Sequence, residues 1–294
     1  MGIRAIGVFC LIFFCSLLSA QHSFDIEGHR GCRGLYPENT IVAFIEALNL
    51  RVNTLEMDVV VSKDNQLVVS HDPFVSDQIC NTPSGQPVTA ANQSTYRLYN
   101  LNYNEIRKFD CGSRGNAKFP DQKSIPAYKP LLSEVIDTVE KYIAEHHLPP
   151  VQYNIETKST PDGDFVNHPA PDVFAKLLYN MIMQKGILSR TIVQSFDPRT
   201  LQAVKQIDNT VNTALLVFNA DGLEKNLKRL NFKPTIYSPN YLLVNKKMII
   251  QCHKLHIRII PWTVNDIDKM QKLKKAGVDG LITDYPDRAI KVLR

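Results

Sequence analysis

Residues 54–72 have the sequence TLEMDVVVSKDNQLVVSHD, and the interpretation of the whole chain starts from this stretch. Two carboxylates, Glu56 and Asp58, stand two residues apart at the start of a β-branched run, so in a strand both side chains point to one face. A short Lys-Asp-Asn-Gln segment separates that run from a second one, which ends in His71 and Asp72. Two such runs around a short polar turn predict a β-hairpin.

With the turn centred between residues 64 and 65, position 58 would pair with position 71, and His71 would return to the two carboxylates. Two acids and an imidazole at one point indicate a hard metal ion with an acid/base partner. A surface hairpin with ordinary solvated charges explains the same residues, because short motifs often match by chance. The rest of the chain has to distinguish these two interpretations.

The first twenty residues have the features of an export signal. Arg4 precedes an apolar run from Ile6 to Leu18, and the small residues at its end resemble a cleavage site before Gln21. The run is shorter than the roughly 20 apolar residues that a membrane span requires. We therefore expect residues 1–20 to be a signal peptide, and residues 21–294 to form a single exported domain, periplasmic or extracellular, with no transmembrane span.

The charge pattern argues against a nucleic-acid partner. The formal net charge of the chain is +5, and loss of Arg4 with the signal reduces it by one. The basic residues form no block and no stripe interleaved with aromatic residues, which nucleic-acid binders show. A mild basic excess is compatible with a small anionic ligand. The oligomeric state does not follow from the sequence.

Four cysteines remain after the signal: Cys32, Cys80, Cys111 and Cys252. An exported protein can form disulfides. Cys80 and Cys111 fall in the same loop-rich segment, so they are the favoured pair. No Cys-x-x-Cys motif or Cys/His cluster indicates a zinc site.

The chain after the hairpin begins with an insertion and then alternates between helices and strands. Residues 73–130 are rich in polar and turn-forming residues, with a short helix expected near Asn104–Phe109. Alternating strands and helices predict a parallel sheet. The open doubly wound sheet is the rival architecture, but no Gly-rich phosphate loop follows the first strand. Eight predicted strands, the number in a (β/α)8 barrel, lie near residues 24–29, 54–58, 151–156, 191–196, 213–218, 235–238, 257–263 and 280–284.

Polar and aromatic candidates for a site concentrate near the C-terminal ends of these strands. Active sites of (β/α)8 barrels lie at that face. The residues in question are His29, Arg30, Glu56, Asp58, Glu156, Lys158, Gln194, Trp262 and Asn265.

These side chains form a set that suits phosphodiester cleavage. Carboxylates bind Ca²⁺ or Mg²⁺, imidazoles transfer protons near neutral pH, and Arg and Lys bind the non-bridging oxygens of a phosphate. A metal ion and cations together would neutralise the charge of the transition state. The candidate metal ligands are Glu56, Asp58 and Glu156. The imidazoles are His29 and His71, and the candidate phosphate-binding cations are Arg30 and Lys158.

The motifs of the chain resemble the glycerophosphodiester phosphodiesterase family. They are GHRGCRGLYPENT, LEMDVVVSKDNQLVVSHD, NIETK, QSF, PWTVN and LITDYP, and they extend from His29 to Pro286. The resemblance implies a TIM barrel of the phospholipase-C-like phosphodiesterase type with an inserted segment after the His-Asp motif. It also implies one divalent cation, Ca²⁺ or Mg²⁺. The reaction would be hydrolysis of a small glycerophosphodiester, such as glycerophosphocholine or glycerophosphoethanolamine, to glycerol 3-phosphate and an alcohol.

Carried over by position, the resemblance assigns the same roles that the chemistry suggests. It makes His29 and His71 the catalytic pair, and it adds Trp262 as a candidate wall for the glycerol moiety. Gln194 and Asn265 would either bind substrate or connect loops. Two departures from the family pattern, Cys32 in place of Ala and Asn65 in place of Gly, touch no chemical role. The full assignment is His29 and His71 as catalytic residues; Glu56, Asp58 and Glu156 as metal ligands; and Arg30, Lys158, Trp262 and Gln194 as substrate contacts.

Two other functions remain open at this point. A related phospholipase-type enzyme would cleave intact phospholipid or sphingolipid, and it would need an exposed apolar rim, for which the insertion offers Tyr96, Tyr99, Tyr103 and Phe119. A non-catalytic binding protein would keep the barrel but lose a metal ligand or a histidine. All of those residues are present in this chain.

Overall fold

The structure is a computed structural model, and it describes residues 24–294. The predicted signal peptide lies outside the described residues, so the division into a leader of 20 residues and one exported domain stays a prediction. Among residues 24–294, no helix is both long enough and apolar enough to cross a membrane.

The described chain alternates between strands and helices as the sequence predicts. Its strands are β1 (Asp25–Gly28), β2 (Thr54–Val61), β3 (Leu67–Val69), β4 (Gln152–Thr157), β5 (Thr191–Ser195), β6 (Asn212–Val217), β7 (Ile236–Pro239), β8 (Arg258–Ile259) and β9 (Gly280–Thr283). Its helices are α1 (Ile41–Asn49), α2 (Tyr103–Ile106), α3 (Leu132–Glu145), α4 (Pro171–Gln184), α5 (Pro198–Ile207), α6 (Gly222–Leu230), α7 (Lys246–Lys254), α8 (Ile267–Ala276) and α9 (Pro286–Leu293).

Eight of the strands form a nearly closed parallel barrel. Their order is β8-β7-β6-β5-β4-β2-β1-β9, with β3 attached antiparallel to β2. The two ends of the sheet meet, because the Asp279 N–H donates to the Ile259 carbonyl at 3.0 Å and the Ile282 N–H donates to the Pro261 carbonyl at 2.9 Å. The prediction of a (β/α)8 TIM barrel is therefore confirmed, and the open sheet is excluded.

Strand β2 shows how the alternation of side chains creates both the core and the site. Leu55 and Met57 are completely buried in the apolar layer between the barrel and its helices. Glu56 and Asp58 alternate with them and therefore point into the barrel. The same period holds for β5, where Val193 belongs to the outer layer and Ile192 to a small apolar cluster of the interior.

The hairpin forms, but the register predicted for it is wrong by one residue. The Ser70 N–H, rather than that of His71, donates to the Asp58 carbonyl, at 3.0 Å. The cause is the turn, in which the Asn65 N–H donates to the Ser62 carbonyl at 3.0 Å and Asn65 has a φ of 56°. Asn tolerates this left-handed conformation. The resulting loop between the paired residues Val61 and Leu67 has an odd number of residues, whereas the predicted register requires an even number. The observed pairs are Val59–Val69, Val60–Val68 and Val61–Leu67.

The insertion of residues 73–130 is mostly irregular, as expected. The short helix predicted at 104–109 is α2, which begins one residue earlier and ends three residues sooner. The predicted disulfide between Cys80 and Cys111 is confirmed. Both cysteines belong to a second apolar cluster, which packs on the outer side of the hairpin through Val60 and Val68. Cys32 and Cys252 are free and buried.

The aromatic residues of the insertion do not form the exposed rim considered above. Tyr103 and Phe119 are buried, with 8% and 7% of their surface accessible, and Tyr96 and Tyr99 are partly buried. Tyr96 and Tyr103 pack with the second apolar cluster. Tyr96 and Tyr103 thus stabilise the insertion, and none of the four side chains is exposed in the way that an apolar rim for a lipid surface requires.

Candidate active site

The predicted site residues converge at the C-terminal end of the barrel. A cavity of about 170 Å³ lies there. Of the nine residues to which the sequence analysis assigned catalytic, metal-binding or substrate-contact roles, only Asp58 does not line it. Asp58 is 1% exposed and belongs to the same group of carboxylates as Glu56 and Glu156. The eight lining residues are His29, Arg30, Glu56, His71, Glu156, Lys158, Gln194 and Trp262.

A tight turn after β1 places the first two of these residues. Arg30 and Gly31 both have positive φ, 52° and 86°. A Cβ atom at Gly31 would lie 2.7 Å from the carbonyl carbon of Ala43, so helix α1 can approach only a glycine there. The turn directs the Arg30 backbone N–H to Glu56 Oε2, at 2.8 Å. The Gly-His-Arg-Gly sequence thus fixes His29 above the carboxylates of β2.

Three carboxylates meet because of the register between neighbouring strands. Glu56 and Asp58 share one face of β2, and β4 places Glu156 directly beside Asp58. One oxygen from each residue lies within 4.8 Å of the others, and all three side chains are buried. Burial, followed by the charges of Asp58 and Glu156, raises the pKa of Glu56 well above its ordinary value. Such a cluster requires compensating positive charge.

The donor set fits a hard divalent cation. It consists of oxygen atoms alone, which Ca²⁺ and Mg²⁺ prefer. Asp58 Oδ2 accepts a hydrogen bond from Asn39 Nδ2 at 2.9 Å, whereas Asp58 Oδ1 is buried and has no hydrogen-bond partner among the described residues. A buried carboxylate oxygen without a hydrogen bond is costly, and coordination to a cation would compensate it.

Two cations stand at the edge of this cluster. Lys158 Nζ lies 2.7 Å from Glu156 Oε1 and 3.6 Å from Asp58 Oδ1. Arg30 Nε lies 3.2 Å from Asp58 Oδ2, and its Nη1 donates to Glu38 Oε1 at 2.6 Å. Although burial opposes ionisation, these two cations keep the pKa of Asp58 well below its ordinary value. Both cations also face the cavity.

His29 has a carboxylate partner that the sequence interpretation missed. Its Nδ1 lies 2.5 Å from Asp284 Oδ1, which leaves Nε2 for the cavity. Asn265 holds this carboxylate, because its Nδ2 donates to Asp284 Oδ2 at 2.7 Å. Burial lowers the pKa of His29 below its ordinary value even though Asp284 opposes that effect. The imidazole is therefore neutral near pH 7, and Asn265 connects loops, as one of its two predicted roles required.

His71 has a similar partner but a more open environment. Its Nδ1 lies 2.7 Å from Asp72 Oδ1, and 35% of its side chain is exposed, against 12% for His29. Burial opposes ionisation of Asp72, but the hydrogen bond and charge of His71 lower its pKa to about 2. Each imidazole thus has one nitrogen fixed by a carboxylate.

Gln194 forms a hydrogen bond to the carboxylate cluster. Its Nε2 donates to Glu56 Oε1 at 2.7 Å, and its Oε1 accepts from Asn154 Nδ2 at 3.2 Å. Asn154 Nδ2 also donates to Glu27 Oε2, at 2.7 Å. This chain of hydrogen bonds fixes the direction in which the Gln194 amide points. Gln194 therefore orients Glu56, although its side chain also lines the cavity.

The other side of the cavity is aromatic. Trp262 donates its indole N–H to the Ser238 carbonyl at 2.9 Å, and it meets the rings of Phe196 and Phe218 edge-on, with centroids 5.3 Å and 6.0 Å away. Phe218 and Leu242, after β6 and β7, are 67% and 71% exposed. Exposed apolar side chains thus flank the mouth of the barrel, and they come from the barrel loops and not from the insertion.

Residues that the sequence interpretation missed lie within the quoted motifs. Asp284 directly follows β9, Glu38 belongs to the Pro-Glu-Asn-Thr segment, and Arg33 follows the first turn. Arg33 Nε lies 3.1 Å from Glu38 Oε2. Their positions in these motifs could have marked them as site residues. Their partners could not be predicted, because the folded barrel brings His29 to Asp284 and Arg33 to Glu38.

Comparison with known proteins gives a consistent result. The sequence profile of the glycerophosphoryl diester phosphodiesterase family matches residues 29–288. The chain is 29% identical over 271 residues to a glycerophosphodiester phosphodiesterase of Caldanaerobacter subterraneus, covering 92% of this chain and 97% of the relative. It is 28% identical over 289 residues to a glycerophosphodiester phosphodiesterase of Bacillus subtilis, covering 94% and 88% of the two chains.

Solved structures agree. One from Silicibacter pomeroyi, assigned to the glycerophosphoryl diester phosphodiesterases, superimposes with a TM-score of 0.82 at 26% identity, covering 93% of this chain and 94% of the other. A phosphodiesterase from Oleispira antarctica in complex with the product sn-glycerol-3-phosphate superimposes with a TM-score of 0.72 at 18% identity, covering 92% and 96%. The second likeness concerns the fold alone.

Proposed function

The chain belongs to the glycerophosphoryl diester phosphodiesterase family and is a phosphoric diester hydrolase that acts on glycerophosphodiesters, and from this premise we propose how it works. One divalent cation and the pair His29 and His71 together hydrolyse substrates such as glycerophosphocholine or glycerophosphoethanolamine to glycerol 3-phosphate and an alcohol. The observation that carries the proposal is one cavity lined by both imidazoles and by carboxylates of a three-membered buried cluster. A purely binding role finds no support, because no metal ligand or histidine of the set is missing.

Glu56, Asp58 and Glu156 would hold the cation. When bound, Ca²⁺ or Mg²⁺ would supply charge neutralisation for the phosphoryl oxygens. The support for this assignment is the oxygen-only donor set together with Asp58 Oδ1, which accepts no hydrogen bond from the described residues. Gln194 would act on the reaction only through Glu56, whose carboxylate it orients.

His29 would act as the general base. Its lowered pKa keeps it neutral near pH 7, and Asp284 fixes its tautomer so that Nε2 can accept a proton. The proton would come from the nucleophile, either water or the neighbouring hydroxyl of the glycerol. A cyclic phosphate, visible by phosphorus NMR, would distinguish the second route from the first.

His71 would protonate the leaving alcohol. It is more exposed than His29, and its Nδ1 is held by Asp72. In-line displacement places the nucleophile and the leaving oxygen on opposite sides of phosphorus, which matches two imidazoles on the walls of one cavity. Arg30 and Lys158 would bind the non-bridging oxygens, and Trp262 would form the wall beside the glycerol.

A second candidate function rests on the exposed apolar residues at the mouth. Phe196, Phe218 and Leu242 are 41%, 67% and 71% exposed, and Phe196 continues into the cavity beside Trp262. Phe196 and Phe218 both meet the Trp262 ring and form an exposed apolar surface at the cavity, and such a surface can mark a lipid-binding site. A phospholipase-type activity on an intact phospholipid or sphingolipid would use it for the hydrocarbon chain.

Purified protein without residues 1–20 tests both functions. Chelator should abolish release of glycerol 3-phosphate from glycerophosphocholine and glycerophosphoethanolamine, and added Ca²⁺ or Mg²⁺ should restore it. Full activity after chelation would contradict the metal assignment. Faster turnover of lysophosphatidylcholine than of glycerophosphocholine, lost in Phe218→Ser and kept in Ile250→Ser, would favour the second function. Ile250 is an exposed apolar residue of helix α7 and serves as the control.

We also propose that the protein is exported. The support is the apolar run after Arg4 together with the disulfide between Cys80 and Cys111, because disulfides persist in oxidising compartments. N-terminal sequencing of protein from the periplasm or the medium should begin at Gln21. Recovery of the protein only from the cytoplasm, with Met1 intact, would contradict this proposal.

A further inference from the structure

A second cavity adjoins the catalytic one on the side of the insertion. Its volume is about 130 Å³. Arg30, Arg33 and His71 line both cavities, whereas His29 and Trp262 line only the first. The two cavities therefore meet at the side chains that face the proposed phosphate position, and His71 stands at the boundary between them.

A phosphodiester has two ester arms, and the two cavities provide one place for each. With the glycerol arm beside Trp262, the other arm extends past His71 into the second cavity. This assignment rests on the proposed function, in which His71 donates its proton to that arm. The second cavity is thus placed to contact the alcohol that is released.

The walls of the second cavity offer hydrogen-bond donors. The insertion contributes Gln78, Asn116 and Lys118. Asn116 Oδ1 already accepts the Lys118 backbone N–H at 3.0 Å, which leaves its Nδ2 as a donor. Within residues 24–294, the Lys118 ammonium has no carboxylate within ion-pair distance, and the Gln78 side chain has no hydrogen-bond partner. Both side chains are exposed at the edge of the cavity.

The carboxylates of the cavity are already engaged. Glu38 interacts with Arg30 at 2.6 Å and with Arg33 at 3.1 Å, and Asp72 interacts with His71 at 2.7 Å. Three cations, counting Lys118, face two carboxylates, so the lining carries a net charge of +1 before His71 is protonated. Among the residues that the structure describes, no aromatic ring other than the imidazole of His71 lines it.

This chemistry disfavours a quaternary ammonium and favours oxygen atoms. Choline is recognised by aromatic faces and by free negative charge, neither of which this cavity supplies. Hydroxyl groups and anionic oxygens accept hydrogen bonds from amide and ammonium donors. We propose that the second cavity is the subsite for the leaving alcohol, and that it selects polyhydroxylated head groups such as inositol or glycerol over choline.

The test compares two substrates in matched variants. In the wild-type protein, kcat/KM for glycerophosphoinositol should exceed that for glycerophosphocholine by at least about tenfold, the equivalent of one charge-assisted hydrogen bond. Gln78→Ala and Lys118→Ala should each reduce this ratio at least threefold by lowering only the inositol rate. Lys118→Glu should reduce it further. Lys108→Ala, the same charge change elsewhere on the exposed insertion, should leave the ratio unchanged.

The outcomes separate the subsite from the catalytic function. A wild-type ratio below tenfold, or a ratio that does not change in Gln78→Ala and Lys118→Ala, overturns the subsite while hydrolysis itself stands. Failure to hydrolyse either diester, with Ca²⁺ or Mg²⁺ present, overturns the proposed function and this inference with it. Thermal melts of each variant verify that the insertion remains folded.

Discussion

The contact between His29 and Asp284 joins residues 255 positions apart and controls the protonation of the imidazole. Asp284 raises the pKa of His29 against the effect of burial. Asp284→Asn should therefore lower that pKa and move the acidic limb of the pH–rate profile to lower pH. The loss of a fixed tautomer should also reduce kcat by about a hundredfold or more. Asp268→Asn, an exposed change on α8, is the control.

The two imidazoles should be individually necessary. Positioned acid and base groups typically contribute roughly 10²–10⁴-fold each. His29→Ala and His71→Ala should each lose at least about a hundredfold in kcat on glycerophosphocholine and glycerophosphoethanolamine. Metal affinity, measured by calorimetry, should not change, because neither side chain belongs to the carboxylate cluster. Near wild-type turnover in either variant would mean that the two-histidine mechanism is wrong.

Glu27 is an acidic side chain inside the barrel, where ionisation of its carboxyl group is unfavourable. It is fully buried, and its Oε1 has no hydrogen-bond partner among the described residues. Burial, then the charge of Asp25, raises its pKa to about 8. Between pH 4.5 and about 8, the unfolded chain loses this proton while the folded chain keeps it. The free energy of unfolding therefore falls as the pH rises through this window.

Glu27→Gln removes this pH dependence and preserves the shape of the side chain. The variant should gain thermal stability relative to wild type as the pH rises from 5 to 8.5. Melting temperatures at both pH values measure the effect. Glu224→Gln, at an exposed position of α6, should show no such trend. An equal difference between Glu27→Gln and wild type at the two pH values would contradict the buried-acid explanation.

At the scale of elements, the insertion depends on its disulfide. The bond joins cysteines 31 positions apart, and both lie in the small apolar cluster that attaches the insertion to the hairpin. By the loop-entropy estimate, such a bond contributes about 3–4 kcal/mol. Cys80→Ser should lower the free energy of unfolding of the insertion by about this amount, measured by denaturant titration.

Reductant provides the matched control for that prediction. Wild-type protein treated with reductant should behave like Cys80→Ser, and the variant itself should not respond to reductant. Cys252→Ser changes a buried free thiol of α7, so its sensitivity to reductant should remain that of wild type. Two free thiols at positions 80 and 111 in exported protein, found by alkylation and intact mass, would refute the pairing.

The hairpin shows how an element can form as predicted and still differ in register. The β-branched runs of β2 and β3 are local signals, and they predicted two strands correctly. The register depends on the turn, where Asn65 adopts a φ of 56° and the loop has an odd number of residues. Both runs are apolar and buried at consecutive positions, so the hydrophobic pattern of the strands does not select one register.

At the scale of the whole molecule, a bound cation should stabilise the barrel. Its three carboxylates come from β2 and β4, and they repel one another in a buried site. A ligand at a hundred times its Kd contributes about 2.7 kcal/mol, which corresponds to a rise in Tm of about 5 °C for a domain of this size. Differential scanning calorimetry with and without Ca²⁺ or Mg²⁺ measures it.

Glu56→Gln is the variant for that measurement. It should keep the fold, because it retains the size of the side chain, and it should lose most of the metal-induced rise in Tm together with turnover. Glu224→Gln again serves as the exposed control. A metal-induced rise that is the same in Glu56→Gln as in wild type would show that the ion binds elsewhere.

Features that depend on local periodicity could be predicted from the amino-acid sequence. A period of two places Glu56 and Asp58 on one face of β2, and the alternation of apolar runs predicts the barrel strands. Asn65 adopts a left-handed conformation, as its side chain allows. The pairing of Cys80 with Cys111 was predicted because both lie in one loop-rich segment, and the structure confirms this disulfide.

Contacts between residues that are distant in sequence became visible in the folded barrel. The register of β2 against β4 sets Glu156 beside Asp58, and closure of the barrel brings Asp284 to His29. The exposed apolar residues Phe218 and Leu242 lie in the loops that follow β6 and β7, so the positions of these strands place them at the mouth of the barrel. Strand stagger and barrel closure sum many weak contacts between segments far apart in sequence, so no local pattern contains them.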